Sequence, residues 1–456
     1  MLALLRSRLE YLGPVTAAQV AQPLNIQQTE IDAALLQLEQ QGFVIQGRFI
    51  AHNAQQQWCE RRLLARIHRA HQQQRRREIE PVSPQDFMRF LFDWHHLAEP
   101  RQGADALLAA ITQLEGFPLP ASTWENDILP MRVLPYHSTD LDQLCNSGRI
   151  HWQRVLNNNA TSRKSTVLRT TPIAFFIRRH LPHWQAWMPS ATPEISGAAQ
   201  NVLALLQRSG ALFFDELLAD SNLLRSQLED TLAELVANAQ VTADNFIGLR
   251  ALFTRNHPRW RKYTNAGTRR IGVSQMDDAG RWSLLKRSNN EPASAVAHIA
   301  QVLLQRYGVV FRKVLERETN LPPWRDLLYE FRRLEARDEI HGGRFVSGMS
   351  GEQFALPAAV TALRQLRLRP QNQQLTVISA VDPLNLTAIF TPSARIAAKA
   401  ANRIVYRDGI AVAISEHSQL TPLQTLSDAE LWEARNRILR KHKNVNYQIT
   451  DSTQPM

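Results

Sequence analysis

The chain has 456 residues, 44% of them hydrophobic, and carries a formal charge of +11 from 53 Lys and Arg against 42 Asp and Glu. That length exceeds the roughly 250–300 residues at which single cores stop growing, so several domains are expected. No apolar run is long enough to cross a bilayer, no signal-peptide pattern opens the chain, and its two cysteines, Cys59 and Cys145, have no metal-ligand spacing.

The excess charge is mainly arginine, whose fixed fork suits phosphates and base edges. A soluble cytoplasmic protein that meets a polyanion, without a zinc site, is the expectation. Residues 1–55 predict a winged helix. Leu2 to Leu12 reads as a helix, Gly13-Pro14 as a break, Thr16 as the cap of a second helix, and Gln27 to Gln41 as a third with Ile31, Leu35 and Leu38 inward. Phe43 to Ile50 then reads as a tight wing. The third helix presents Gln, Glu and Asp and no Lys or Arg, so packing or self-association is expected of it rather than DNA reading.

Residues 56–195 read as a helical and winged-helix segment. It opens on a basic helix, Arg61 to Arg77; Ser83 caps the next, whose stripe is Phe87, Phe90, Leu91 and Trp94. His68, His71, His95 and His96 lack a matched partner set, so no metal is expected there. A short helix from Ser122 gathers Trp124, Glu125 and Asp127, with Arg132 just beyond. The plain reading of these carboxylates is a surface helix with a local arginine partner.

Residues 196–254 repeat the winged-helix pattern, with a long helix from Leu223 to Asn238 and a wing drawn from Val241, Phe246, Ile247 and Leu249. Residues 255–290 form a basic aromatic segment, in which Arg255, Arg259, Arg261, Lys262, Arg269 and Arg270 are interleaved with Trp260 and Tyr263. Cations supply salt-dependent phosphate contacts and aromatic faces stack on unpaired bases, so DNA contact is expected here.

Residues 291–370 predict a further winged helix. Phe311 to Glu318 reads as a short helix ended by Pro322-Pro323, and from Trp324 the residues Leu327, Leu328, Phe331 and Leu334 form one apolar stripe. Arg325, Tyr329, Arg332 and Arg333 fall on the free arc. His341-Gly342-Gly343 breaks the helix, and Arg344 to Val346 with Glu352 to Leu356 would be the wing. An Arg- and Tyr-bearing helix beside a wing arginine is what a winged helix offers to DNA. A merely solvated face is the plain alternative, since Glu330 is spaced to pair with Arg333.

Residues 371–425 switch to strand period at 375–379, 386–390, 403–406 and 410–413, with Asp382-Pro383-Leu384-Asn385 as a prominent loop and Asp408-Gly409 as a hairpin turn. Residues 426–456 read as a terminal helix, capped by Ser427, and a tail. There is no GxxxxGK[ST] phosphate loop, so ATP hydrolysis by this chain is not expected.

The runs WCERRLLARIHR, EIEPVSPQDFMRFLFDWHHL, QLEGFPLPASTWENDILPMRV, VVFRKVLERETNLPPWRDLLYEFRRLEARDEIHGGRFVSG and SAVDPLNL resemble the C-terminal region of the long helicase-related proteins (Lhr) of bacteria, and the resemblance covers nearly the whole chain. In that family an ATP-dependent DNA helicase core precedes this region, so the chain reads as a detached C-terminal part. The resemblance implies a mainly α fold with small β elements: tandem winged-helix modules plus a small C-terminal β-barrel, serving DNA binding, oligomerisation and DNA repair.

The same region is similar in architecture to winged-helix DNA glycosylases of the AlkZ/YcaQ type. This implies uracil excision: metal-independent hydrolysis of an N-glycosidic bond on an extruded nucleotide, with a carboxylate activating water or stabilising the sugar cation. The Gln-x-Gln or Gln-x-Asp motif of those enzymes does not stand at the matching place, Leu114 to Ala121, so the acid is expected among Glu125, Asp127 and Asp382. The expected partners are single-stranded or damaged duplex DNA, further copies of the chain and a helicase core encoded separately; no cofactor, metal or membrane is expected. The alternative is a non-catalytic winged-helix scaffold that assembles with a helicase core.

Overall fold

The computed structural model describes residues 1–50, 55–156, 169–188, 194–255, 276–285, 292–390, 396–417 and 419–443. The chain divides into two compact units, Met1–Glu80 and Pro81–Met456. Among the described residues no helix is long and apolar enough to cross a membrane.

Among its described residues the first unit has three α-helices and a two-stranded sheet, followed by the basic helix Arg61–Arg77. Its helices are Leu2–Leu9, Ala17–Ala21 and Gln28–Gln40. Thr16 caps the second helix, as the sequence suggests, and it and Gln19 satisfy each other's backbone N–H groups in a capping box. Leu5, Leu9, Val20, Ile31, Leu35, Leu38 and Trp58 are buried together. The wing differs from the sequence reading: Val44–Gly47 pairs not within Phe43–Ile50 but with Gln57–Glu60. The return strand lies there because Trp58 fills the core, while Gln57 Oε1 accepts the N–H groups of Phe49 and Ile50 at 3.0 and 3.1 Å.

The second unit opens on Pro84–Trp94, capped by Ser83, whose Oγ accepts from Asp86 N at 3.0 Å. Three modules, each of helices with a small sheet, follow. The first has Gly103–Gln113, a short helix running into the π-turn Trp124–Ile128, and Ser138–Asn146. Its strands lie in the order Leu119–Pro120, Pro172–Ile177, Ile150–Arg154. The second has Gly197–Ser209, Phe214–Ser221 and Arg225–Ala237, with strands Leu212–Phe213, Arg281–Leu284 and Val241–Ala243.

The wing of that second module corrects the sequence reading. Phe246 is buried against Phe175 (5.2 Å between centroids) and edge-on to Trp152 (6.1 Å), and the chain after it becomes the helix Ile247–Arg255. Phe246 and Leu249 serve the shared core of the two modules, and Ile247 opens the helix, rather than forming a strand. Trp152 Nε1 also donates to Asn245 O at 2.8 Å, and Thr242 Oγ1 to Trp152 O at 2.7 Å, so the modules share polar as well as apolar ties.

The third module has Pro292–Tyr307, a 3₁₀ turn Arg312–Arg317 and Trp324–Ala336; its sheet order is His341–Gly343, Gln353–Ala355, Val309–Phe311. Phe311 therefore ends a strand instead of opening a helix, and His341–Gly343, expected as a break, is the first wing strand. Pro357–Leu368 closes the module.

The last sheet is an antiparallel meander of Leu375–Ser379, Arg403–Arg407, Ile410–Glu416 and Gln419–Pro422, followed by Asp428–Lys443. No pairing closes it into a barrel among the described residues. Residues 386–390, expected as a strand, contain the helix Thr387–Phe390; a five-residue apolar run has no periodicity to separate the two. Asp408 (φ 46°) and Gly409 (φ 86°) make the expected two-residue hairpin turn. A Cβ on Gly409 would stand 2.2 Å from Gln85 O, so only glycine lets this turn meet the opening helix.

Candidate nucleic-acid interface

The helix Trp324–Ala336 follows two prolines and buries Leu327, Phe331 and Leu334. Phe331 stacks on Phe354 of the wing at 5.4 Å, which fixes the helix against its sheet. Its opposite arc carries Arg325, Tyr329, Arg332, Arg333 and Arg337, all exposed, with the Tyr329 residue 69% open to solvent. Arg332 spans to the wing and pairs with both oxygens of Glu352 at 3.0 and 3.1 Å. Arg333 meets Glu330 at 2.6 Å, the local pairing that the spacing suggests, and Arg325 stands 3.7 Å from Asp326. The Arg325 and Arg332 pairs are exposed and contribute about 0–1 kcal/mol each, so a phosphate can displace those carboxylates at little cost, whereas Glu330 is buried. Arg344 is exposed on the wing, and the next two N–H groups, of Phe345 and Val346, donate to Gln353 Oε1 at 2.9 and 2.8 Å.

The structure thus brings Arg325, Tyr329, Arg332, Arg333 and Arg344 onto one module. Of the basic aromatic segment, Arg255 ends a helix by its backbone, whereas Arg259, Trp260, Arg261, Lys262, Arg269 and Arg270 lie outside the described residues.

The three candidate acids are each held by a different arginine from a distant part of the chain. Glu125, in the π-turn, accepts Arg250 Nε at 2.7 Å and Nη2 at 3.0 Å, and also the Tyr136 hydroxyl at 2.8 Å. Arg250 bridges onward to Asp142 at 2.7 Å. Burial raises the Asp142 pKa despite that partner, and burial together with Glu125 holds the Tyr136 hydroxyl well above its usual range. Asp127 accepts Arg403 Nη2 at 2.6 Å. Asp382 is fully buried and accepts both ends of the Arg132 guanidinium, at 3.0 and 3.1 Å, plus Leu384 N–H at 2.9 Å.

Arg132 is backed by His95, whose Nδ1 lies 3.2 Å from Nη2 while Nε2 lies 2.8 Å from Arg306 O. Nε2–H therefore donates and Nδ1 accepts. Burial, reinforced by Arg132, keeps this imidazole neutral, its pKa well below the ordinary histidine value. Both ring nitrogens are occupied, so His95 is a buttress of the ion pair rather than a ligand.

A cavity of about 660 Å³ opens between Pro84–Trp94, Gly103–Gln113 and Pro357–Leu368, where Trp94, His96, Arg101, Gln113, Gln365 and Arg369 form part of its wall. His96 holds a left-handed φ of 54°. None of Glu125, Asp127 and Asp382 lines this cavity. A second cluster, Glu115 with His180 and His298, comes from three separate elements. Of these only Glu115 stands in a motif that the sequence singles out; His180 and His298 lie 65 or more positions further along the chain.

Residues 82–178 match the model of a large helicase-related protein winged-helix domain, the third of that protein, and residues 289–375 match the fourth. Among curated proteins, the chain is 29% identical over 398 residues to the "Lhr helicase/ probable uracil glycosylase" of Mycolicibacterium smegmatis, covering 82% of this chain and 25% of that protein. It is 28% identical over 425 residues to the "Lhr helicase/uracil glycosylase" of Escherichia coli K12, covering 83% of this chain and 26% of that protein. The chain thus spans about a quarter of the length of these relatives. Among solved structures, Streptomyces sahachiroi DNA glycosylase AlkZ superposes with a TM-score of 0.47 at 13% identity, over 80% of this chain and 98% of that one. The chain carries two winged-helix domains of the large helicase-related protein type and resembles the C-terminal region of bacterial Lhr proteins.

Proposed function

We propose that this chain is a DNA-binding region of an Lhr-type repair protein, and that the face of Trp324–Ala336 together with wing residue Arg344 is its principal contact with the duplex. The observation that carries this reading is the exposed Arg325–Tyr329–Arg332–Arg333 arc, set beside an exposed wing arginine, in the module that matches the fourth Lhr winged-helix domain. A third helix of this kind enters the major groove while the wing meets the backbone. The basic stretch from Arg255 to Arg270 adds phosphate contacts and stacking surfaces for unpaired bases. Self-association and assembly with a separately encoded helicase core fit the neutral third helix of the first unit.

The test is fluorescence anisotropy with duplex and single-stranded DNA over a salt series. Arg325→Ala, Arg333→Ala and Arg344→Ala should each weaken duplex binding and lower the salt slope by about 0.9 for each phosphate that is no longer neutralised. Unchanged affinity and slope in all three variants would move the interface elsewhere.

Excision of uracil is a second reading, favoured by the names of both relatives. Glu125, 16% exposed on its side chain, is the most accessible of the three candidate acids, and it reaches a substrate only if Arg250 releases it. Uracil-containing DNA incubated with the chain, without ATP or added metal, is scored for alkali-labile sites with wild type, Glu125→Ala, Asp127→Ala and Asp382→Ala. Base release lost in one folded variant that still binds DNA identifies the acid. Binding without release in wild type leaves the scaffold account.

A further inference from the structure

Glu115 is fully buried, immediately after Gly103–Gln113, and three histidines gather around it. His180 ends the 3₁₀ turn after Pro172–Ile177, His183 lies in Leu181–Trp187, and His298 lies in Pro292–Tyr307. His180 Nδ1 is 3.0 Å from Glu115 Oε2, and His298 Nε2 is 3.7 Å from Oε1. The coordinating atoms of Glu115, His180 and His298 all lie within 4.8 Å of one another. The imidazoles of His180 and His183 flank that of His298, with centroids 4.4 and 5.1 Å away. His298 Nε2 and His183 Nδ1 are both buried without a hydrogen-bond partner on the protein.

We propose that Glu115, His180 and His298 form a divalent transition-metal site, with zinc the ion that the ligand set suits best. A buried imidazole nitrogen without a hydrogen-bond partner, His298 Nε2, is costly unless something meets it, and the Glu115 carboxylate beside it supplies the negative charge that a cation needs. Zinc bonds of about 2.0–2.2 Å in tetrahedral geometry set neighbouring ligand atoms about 3.3 Å apart. His180 Nδ1 stands 3.0 Å from one carboxylate oxygen and His298 Nε2 3.7 Å from the other, each within a few tenths of an ångström of that value. A nitrogen-rich set with one carboxylate favours zinc, cobalt or nickel over magnesium or calcium.

The carboxylate is oriented from outside the cluster: Trp184 Nε1 and Ile177 N both donate to Oε1, at 3.1 and 3.2 Å. Trp184 reaches it because Gly116, at φ +78°, has no Cβ; one built there would stand 2.3 Å from the indole. Without the ion, Arg179 Nε donates to His180 Nε2, which leaves the proton on Nδ1, facing Glu115. Metal binding through Nδ1 sends that proton to solvent and puts a proton on Nε2, and Arg179, which is exposed, turns away. The ion would tie the first winged-helix module of this unit to the first helix of the third.

The experiment uses the full chain without a purification tag, stripped with chelator and reloaded with Zn²⁺ or Co²⁺. Bound metal is counted after gel filtration, and the cobalt form is read by its visible ligand-field absorption. One ion per chain is expected in wild type, with affinity at least tenfold weaker in His298→Ala and in Glu115→Gln, both checked for fold by circular dichroism; His180→Ala serves if either fails to fold. No bound ion in wild type, or equal binding and an identical cobalt spectrum in the folded variants, overturns the site and leaves a proton-sharing network around Glu115.

Discussion

At the scale of single residues, burial decides what a titratable group can do. His151 lies in Ile150–Arg154, is 7% exposed, and its Nε2 meets no partner on the protein. Burial, helped by Arg178, pushes its pKa from 6.5 down to about 4. The folded state therefore binds fewer protons than the unfolded state between those values, and stability falls as pH drops through this window. The loss should reach on the order of 3 kcal/mol by pH 4 and then level off. Urea melts of wild type and His151→Phe at pH 7 and pH 4.5 check this: the variant should lose less on acidification, and parallel losses would place the acid sensitivity elsewhere. The carboxylates at 125, 127 and 382 show the same principle from the other side, since each has been drawn into a guanidinium instead of standing free.

At the scale of elements, two wings share a construction that is written in the residues but gains meaning only once the strands are paired. Gly47-Arg48-Phe49-Ile50 is followed by Gln57, and Gly343-Arg344-Phe345-Val346 by Gln353, with the same eight-residue step from phenylalanine to glutamine. In both, the glutamine on the return strand accepts two successive N–H groups just after the arginine, and so sets where that arginine stands. Gln353 is fully buried, so Gln353→Leu strands two buried donors at about 1–3 kcal/mol each. This substitution should destabilise the module and also weaken DNA binding by displacing Arg344. Gln57→Leu is the matched control, expected to lower stability without changing DNA affinity. Equal binding losses in the two variants would mean that both wings touch DNA.

At the scale of the whole molecule, arginine–carboxylate pairs join segments that are far apart in the chain. Within Pro81–Met456, Arg132 and Asp382 tie the first module to the loop before the last strands, Arg403 and Asp127 tie the terminal sheet to the π-turn, and Arg250 and Glu125 tie the first two modules together. The Arg132–Asp382 pair is the deepest, with side chains 1% and 0% exposed. Removing one partner leaves an uncompensated buried charge, so Asp382→Ala should cost about 3–5 kcal/mol by chemical denaturation, whereas replacing both by apolar residues should cost less. A near-neutral Asp382→Ala would mean that the pair is not holding the loop. Any loss of activity in that variant is to be read against its stability first.

What the sequence by itself determined was local and periodic. The apolar stripe of Trp324–Ala336, the Thr16 and Ser83 caps, the Asp408-Gly409 turn and the exposed arginine arc all follow from spacing within one helix or turn, and all are seen. What only the tertiary structure decided was partnership across the chain. The return strands Gln57–Glu60 and Arg281–Leu284 are chosen by which residues complete a sheet and a core, Phe246 by the rings of Trp152 and Phe175, and the fate of each carboxylate by an arginine at least 125 residues away. The gathering of Glu115, His180, His183 and His298 belongs to the same class. Helix period and turn chemistry act over a few residues and are written in order along the chain, whereas ion pairs and ligand sets depend on distances that exist only after the modules have packed.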